Sequence, residues 1–192
     1  KKYKKELIAF DKSYDDSLPH ESSNKVWICW FQGMENAPEI VRKCYESIRK
    51  NMPDKDIIVI TGDNIFEYVE FPDFIVDKWK RGIISNAHFS DLLRLELLIK
   101  YGGTWIDATV YCSGSDIPSY MVESDLFLFQ CLKPGRDGHC NYVSSWFMSA
   151  KTNNIILMAV RQLCYTYWAE HNSMVDYFLL HSFISIAFDF YP

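Results

Sequence analysis

Between residues 86 and 111 the chain passes from a strongly apolar helical segment, through two adjacent glycines, into a strand. No other stretch limits the fold as much. Leu92, Leu93, Leu95, Leu97, Leu98 and Ile99 supply a broad apolar stripe, and Tyr101 precedes Gly102-Gly103. Glycine just past a helix end takes the left-handed conformation that stops it. Thr104 to Tyr111 then reads as a strand. Its alternation places Trp105, Asp107, Thr109 and Tyr111 on one face, with Thr104, Ile106, Ala108 and Val110 on the other.

An earlier unit gives this segment a sheet to join. Val26-Trp27-Ile28-Cys29-Trp30-Phe31 is a continuous apolar run of strand length closed by Gln32-Gly33. Pro38 suits a first helical turn, and Ile40, Val41, Cys44 and Ile48 follow at helical spacing. A second run, Ile57-Ile58-Val59-Ile60, stops at Thr61-Gly62-Asp63-Asn64. A β-α-β unit implies parallel strands with a right-handed crossover, and ligands of such sheets gather at the carboxyl ends of the strands. Trp30 and the 61–64 turn are therefore placed near any site. Residues 65–84 read as short helices and loops. Beyond the glycine pair the pattern predicts strands over 126–131 and 142–149, a Gly-containing loop over 133–141, and helices over 154–170 and 174–188. The expected fold class is α/β, a single domain with a mainly parallel sheet flanked by helices. It covers residues 25–192 after an irregular, polar lead-in over 1–24. The chain stops straight after a helical pattern, as a fragment of something longer does.

Composition narrows the partners. The 192 residues are 48% hydrophobic and 23% charged, the balance of one soluble globular domain with a real core. A net charge of −5 excludes any general attraction to nucleic acid. The one basic cluster, Lys1-Lys2-Tyr3-Lys4-Lys5, reads as a solvated terminus. The alternative is peripheral contact with an anionic membrane, at roughly 1 kcal/mol per Lys. Six scattered cysteines form no C-x-x-C pair and no zinc spacing, and Cys29 and Cys44 read as small buried hydrophobes. No apolar leader follows the lysines, and no apolar stretch has bilayer length, so the expected compartment is the cytoplasm.

The chemistry concentrates in Ser90-Asp91-Leu92-Leu93-Arg94 and Tyr101-Gly102-Gly103-Thr104-Trp105-Ile106-Asp107. Asp91 and Arg94 sit three apart and share a face of an otherwise apolar helix. An isolated pair at that spacing is usually a surface ion pair worth well under ~1 kcal/mol. Here it precedes a tight turn into a strand that carries another carboxylate. A carboxylate can accept from two sugar hydroxyls, and a guanidinium fork can grip hydroxyl or phosphate oxygens. Asp107 could then serve ribose, or a metal ion that neutralises a diphosphate.

The block S-D-x-x-R…Y-G-G-x-[WY]-x-D resembles the glycosyltransferases with a sugar-binding DXD motif, particularly the capsular polysaccharide synthesis protein family. The Lys25–Gly33 segment, with its Trp-Phe-x-Gly ending, is similar to that family's first strand. The resemblance implies a GT-A-like fold, a nucleotide-sugar donor (a UDP-sugar) and a glycan or lipid-linked glycan acceptor. It also implies a retaining, hexosyltransferase-type reaction, a divalent metal (Mn²⁺ or Mg²⁺), and a setting in capsular or other surface polysaccharide synthesis at the inner face of the plasma membrane. By the same resemblance Trp30 stacks on the uracil ring, and Asp91 and Arg94 hold the donor sugar, with Arg94 near the phosphate. Trp105 lies beside the nucleotide, and Asp107 is the first DXD acid, a catalytic and metal-binding position that it shares with Arg94 as a catalytic candidate. The departure is Asp107-Ala108-Thr109 in place of Asp-x-Asp, since the second acid is the direct metal ligand in relatives. Thr109 offers a hydroxyl without charge. That triplet is the support for a rival reading, a weak or inactive relative that binds nucleotide sugar or glycan without turnover. A phosphohydrolase is discounted, because that chemistry needs a second Asp two residues on. Ser145, Asp176 and His181 remain candidates for the acceptor or the late-strand side of the site, with Asp176, Tyr177 and His181 expected on one helix. The bland reading of His181 is a hydrogen-bonded core histidine.

Overall fold

The computed structural model describes residues 2–130 and 143–191. The 133–141 loop expected from sequence, Cys131 and Cys140 lie outside them. Five strands, β1 (Lys25–Cys29), β2 (Asp56–Ile60), β3 (Gly103–Ile106), β4 (Leu126–Gln130) and β5 (Val143–Ala150), form one sheet in the order β2-β1-β3-β5-β4. β2, β1 and β3 are parallel, whereas β5 runs antiparallel to both β3 and β4. The single α/β domain with flanking helices is as expected; the sheet is mixed, and the parallel arrangement belongs to its first three strands.

Among the described residues eight α-helices surround the sheet: α1 (Lys2–Ser13), α2 (Glu39–Asn51), α3 (Ile65–Tyr68), α4 (Asp73–Lys80), α5 (Asn86–Tyr101), α6 (Tyr120–Glu123), α7 (Ile155–Glu170) and α8 (Leu179–Phe190). α2 covers one sheet face, where Val26, Ile28, Ile106 and Phe147 meet Val41 and Ile48. On the other face Trp27, Trp105 and Met148 pack against α5, α7 and α8. The alternation along β1 and β3 divides their side chains between these two cores. α5 is buried on nearly all sides, which is why its apolar stripe is so wide.

The turn from α5 into β3 explains both glycines. Gly102 has φ 64° and its amide closes the helix on the Leu98 carbonyl. Its own carbonyl accepts from the buried Trp27 indole at 2.9 Å. Gly103 has φ 93°, and a Cβ there would strike the Lys25 carbonyl oxygen. Close approach of β3 to β1 therefore requires glycine.

Three expectations are corrected. The lead-in is not irregular: Tyr3, Leu7 and Phe10 recur at helical spacing on α1, Leu7 is fully buried, and Tyr3 meets Phe183 edge-on at 4.9 Å. The strand after the glycines ends at Ile106. Asp107 donates one more amide to Trp146, and its carbonyl then accepts from Val110 N, which turns the chain and leaves Tyr111 exposed. The last helix begins at Leu179, so Asp176 and Tyr177 precede it. The Asp176 carboxylate instead accepts from the Phe178 amide at 2.7 Å, a local bond that competes with helix at this point.

Candidate functional site

The connection from β1 leads to β2 on one side, and the return from β2 leads to β3 on the other. The strand order thus reverses at β1, and the chain ends of β1 and β3 open beside each other. In sheets of this kind that is where a ligand crevice forms. A cavity of about 510 Å³ lies there, the size range of small-molecule sites.

Trp30 enters it directly after β1, and its amide is held by the Ile60 carbonyl at 3.0 Å. Asp91 and Arg94 come from the second and third turns of α5, a helix that starts where Ser85 caps the His88 amide. Asp107 follows β3, Ser145 comes from β5 and His181 from α8. Trp30, Asp91, Arg94, Trp105, Asp107, Thr109, Ser145 and His181 all line this one cavity, and Asp176 does not. Cys29, Ser90 and Phe178 are among the further lining residues, and no site role is assigned to them from sequence. The Cys29 thiol is pushed up to about 12 by burial, so it stays protonated and inert.

Arg94 is the centre of the arrangement and is 4% exposed. Its Nη2 lies 3.2 Å from Asp91 Oδ1 and 3.4 Å from Asp107 Oδ1. Nη1 donates to the Ser145 carbonyl at 2.6 Å and to the Ser145 hydroxyl at 2.8 Å. Nε donates to the Ser90 carbonyl at 3.3 Å. A guanidinium has five N–H groups, and here each direction meets a protein acceptor. The cation also lies 4.9 Å from the centre of the Trp105 ring, whose Nε1 donates to Asp107 Oδ1 at 2.7 Å. Arg94 therefore braces the two carboxylates more than it reaches for a ligand.

The carboxylates differ. Asp91 is 17% exposed at its side chain and Asp107 36%. Burial, the larger effect, raises Asp91 to about 6 against the attraction of Arg94, and Asp107 adds to the rise. Burial likewise drives His181 down to about 4, helped by Arg94 and opposed by Asp176, so the ring is neutral near pH 7. Burial also lowers His88, opposed by the Tyr177 backbone.

Among the described residues no group of three or more His, Cys, Asp and Glu side chains could hold a metal ion. Asp107 contributes one carboxylate, both of whose contacts among the described residues use Oδ1. Thr109 lines the same cavity and is exposed. This donor set fits a hard cation only where ligand oxygens complete its shell, as Mg²⁺ sites built on one carboxylate and substrate phosphates do. It is not a preformed cage.

The chain is 33% identical over 99 residues to O-glycosyltransferase braB of Annulohypoxylon truncatum, covering 47% of this chain and 24% of that protein. It is 24% identical over 155 residues to O-glycosyltransferase PaGT of Phomopsis amygdali, covering 72% of this chain and 37% of that protein. The matched segment is thus little more than a third of either relative, or less. The solved structure of the PaToxG glycosyltransferase superposes with a TM-score of 0.57 at 16% identity, over 96% of this chain and 76% of that one, which establishes a shared fold. The family described as capsular polysaccharide synthesis protein matches residues 1–191, and the chain belongs to that family.

Proposed function

We propose that this chain forms the donor-binding part of a glycosyltransferase that moves a hexose from a UDP-sugar to a glycan or lipid-linked glycan acceptor. The observation that carries the reading is the convergence of Asp91, Arg94 and Asp107 on the cavity that also receives Trp30. The carboxylates accept hydrogen bonds from sugar or ribose hydroxyls, Arg94 keeps them in place, and the Trp30 ring offers a face to the base. The acceptor hydroxyl attacks the anomeric carbon on the face that the UDP leaves, so configuration is retained. Among the described residues no carboxylate is assigned as a nucleophile, and the rate gain is assigned to positioning and charge stabilisation. A divalent ion, Mn²⁺ or Mg²⁺, would be held by Asp107 with Thr109 beside it and donor phosphates completing the shell; when bound it supplies charge neutralisation at the diphosphate. The proposed setting is capsular or other surface polysaccharide synthesis at the cytoplasmic face of the plasma membrane. Family membership and the exposed Lys4 and Lys5 of α1 support it. No helix among the described residues is long and apolar enough to cross a membrane.

The test is a thermal-shift panel of UDP-sugars with and without Mn²⁺, followed by assay of transfer or hydrolysis. A UDP-sugar raises the melting temperature of the wild type, and Asp107→Ala and Arg94→Ala abolish the rise. Variants that respond like the wild type remove Asp107 and Arg94 from the site. The exposed Thr109 in place of an acid favours one second reading, a binding relative without turnover. Ligand-induced stabilisation with no product released would select it.

A further inference from the structure

Among the described residues, three ring nitrogens of residues in the cavity wall are buried without a hydrogen-bond partner, Trp30 Nε1, His88 Nε2 and His181 Nδ1. Leaving a buried polar group unpaired costs on the order of 1–3 kcal/mol, so such atoms in a native fold call for a reason. Trp30 Nε1 can only donate. The state of His181 follows from its neighbour. Arg94 Nη1 donates to Ser145 Oγ at 2.8 Å, and a guanidinium never accepts. The Ser145 hydroxyl proton is thereby left to point at its other partner, His181 Nε2, at 3.3 Å. An Nε2 that accepts places the single proton of the neutral ring on Nδ1. Trp30 Nε1 and His181 Nδ1 are then both N–H donors, and both residues belong to the wall of one cavity.

We propose that His181 is a sugar-reading residue, whose Nδ1–H donates to an oxygen of the transferred sugar through a tautomer fixed by the Arg94–Ser145–His181 chain. The inference rests on the glycosyltransferase reading and goes further, because it assigns the Trp30 and His181 N–H groups to different ends of the donor. Trp30, beside the base in that reading, serves the nucleotide end. His181 is tied through Ser145 to the guanidinium that braces Asp91, and so serves the sugar end. Among the described residues, the wall around it carries Asp91 and Asp107 against the single cation Arg94. With both acids ionised the cluster is net negative, so a neutral hydroxyl or carbonyl oxygen suits His181 better than a bare phosphate does.

Calorimetric titrations with UDP, UDP-glucose, UDP-galactose and UDP-N-acetylglucosamine test this. The variants are His181→Ala, His181→Asn and His181→Gln. An Asn amide N–H falls near the Nδ1 position, whereas a Gln amide reaches only the Nε2 position that faces Ser145. For the preferred UDP-sugar, His181→Ala and His181→Gln should weaken binding about tenfold, the loss of one well-made hydrogen bond. His181→Asn should keep most of the affinity, and UDP itself should bind all four proteins alike. Equal losses for UDP and the UDP-sugar would overturn the sugar assignment. So would His181→Asn and His181→Gln behaving alike. A wild type that binds none of these ligands would overturn the glycosyltransferase reading itself, a different result from a wild type that binds while the variants fail to discriminate.

Discussion

Asp91 meets Arg94 Nη2 directly while His181 meets the Ser145 hydroxyl that Nη1 holds, and burial drives each toward its neutral form, Asp91 up to about 6 and His181 down to about 4. Their effects on stability have opposite signs. The unfolded carboxyl ionises near its ordinary value of 3.8, so between there and 6 the folded state holds the extra proton and Asp91 makes stability fall as pH rises. The unfolded imidazole protonates below its ordinary value of 6.5, so between 6.5 and 4 the unfolded state holds the extra proton and His181 makes stability rise with pH. The two nearly cancel between pH 4 and 6. Relative to the wild type, Asp91→Asn should show stability rising with pH in that window and His181→Gln should show it falling. Each difference should reach a slope of up to about 1.4 kcal/mol per pH unit. Urea unfolding at several pH values reads this, and parallel curves for all three proteins would refute it.

Replacing Arg94 is the most damaging single change expected at the site. Arg94→Ala leaves Asp91 and Asp107 facing each other with no cation and strands the Ser145 acceptors. Breaking a buried pair by removing one partner costs about 3–5 kcal/mol. Arg94→Lys should recover less than half of that, because a point charge cannot reproduce contacts to Ser90, Ser145, Asp91 and Asp107 together. Chemical denaturation midpoints decide it; a loss under 1 kcal/mol for Arg94→Ala would contradict the bracing role.

Gly103→Ala tests the β1–β3 junction without touching any cavity side chain. The positive φ and the collision with the Lys25 carbonyl together should cost roughly 2–4 kcal/mol. Ligand binding should weaken too, because Trp105 lies on the strand that must move and Asp107 directly follows it. Gly82→Ala, at a positive φ with open space around it, is the control and should cost about 1 kcal/mol. Equal effects at the two positions would show that conformational preference, not close approach, sets the requirement.

Thr109 offers a gain-of-function test. It is exposed, so Thr109→Asp should change stability by no more than about 0.5 kcal/mol. If Asp107 holds a cation together with donor phosphates, a second carboxylate should tighten Mn²⁺ binding in the presence of UDP by tenfold or more. Titration of Mn²⁺ into wild type and variant measures the difference, and identical curves would separate Asp107 from any metal.

Much of the site could be read from the chain because its parts are local. Asp91 and Arg94 are three residues apart, and the Gly102-Gly103 stop and Trp105–Asp107 follow within one short stretch. Patterns of that range register directly in a sequence. The β-α-β unit that places Trp30 is local in the same sense. What escaped depends on contacts between distant segments. The bond from Ser145 to His181 spans 36 residues and that from Arg94 to Ser145 spans 51, and no periodicity reports either. The antiparallel half of the sheet escaped because β5 pairs with β3 and β4 through hydrogen bonds that strand patterning does not orient. α1 is a different case: Tyr3, Leu7 and Phe10 carry the helical spacing, but the lysines around them make the segment resemble a solvated basic terminus.

The saturation of Arg94 has a bearing on how ligand binding should register. Its acceptors come from α5, from β5 and from the turn after β3, so no one segment can loosen while the other two keep the carboxylates in register. Opening of the pocket is thereby tied to loss of the domain as a whole. Whatever occupies the crevice should slow hydrogen exchange deep in α5 and β5 as much as at the rim, and its stabilisation should grow with the logarithm of its concentration.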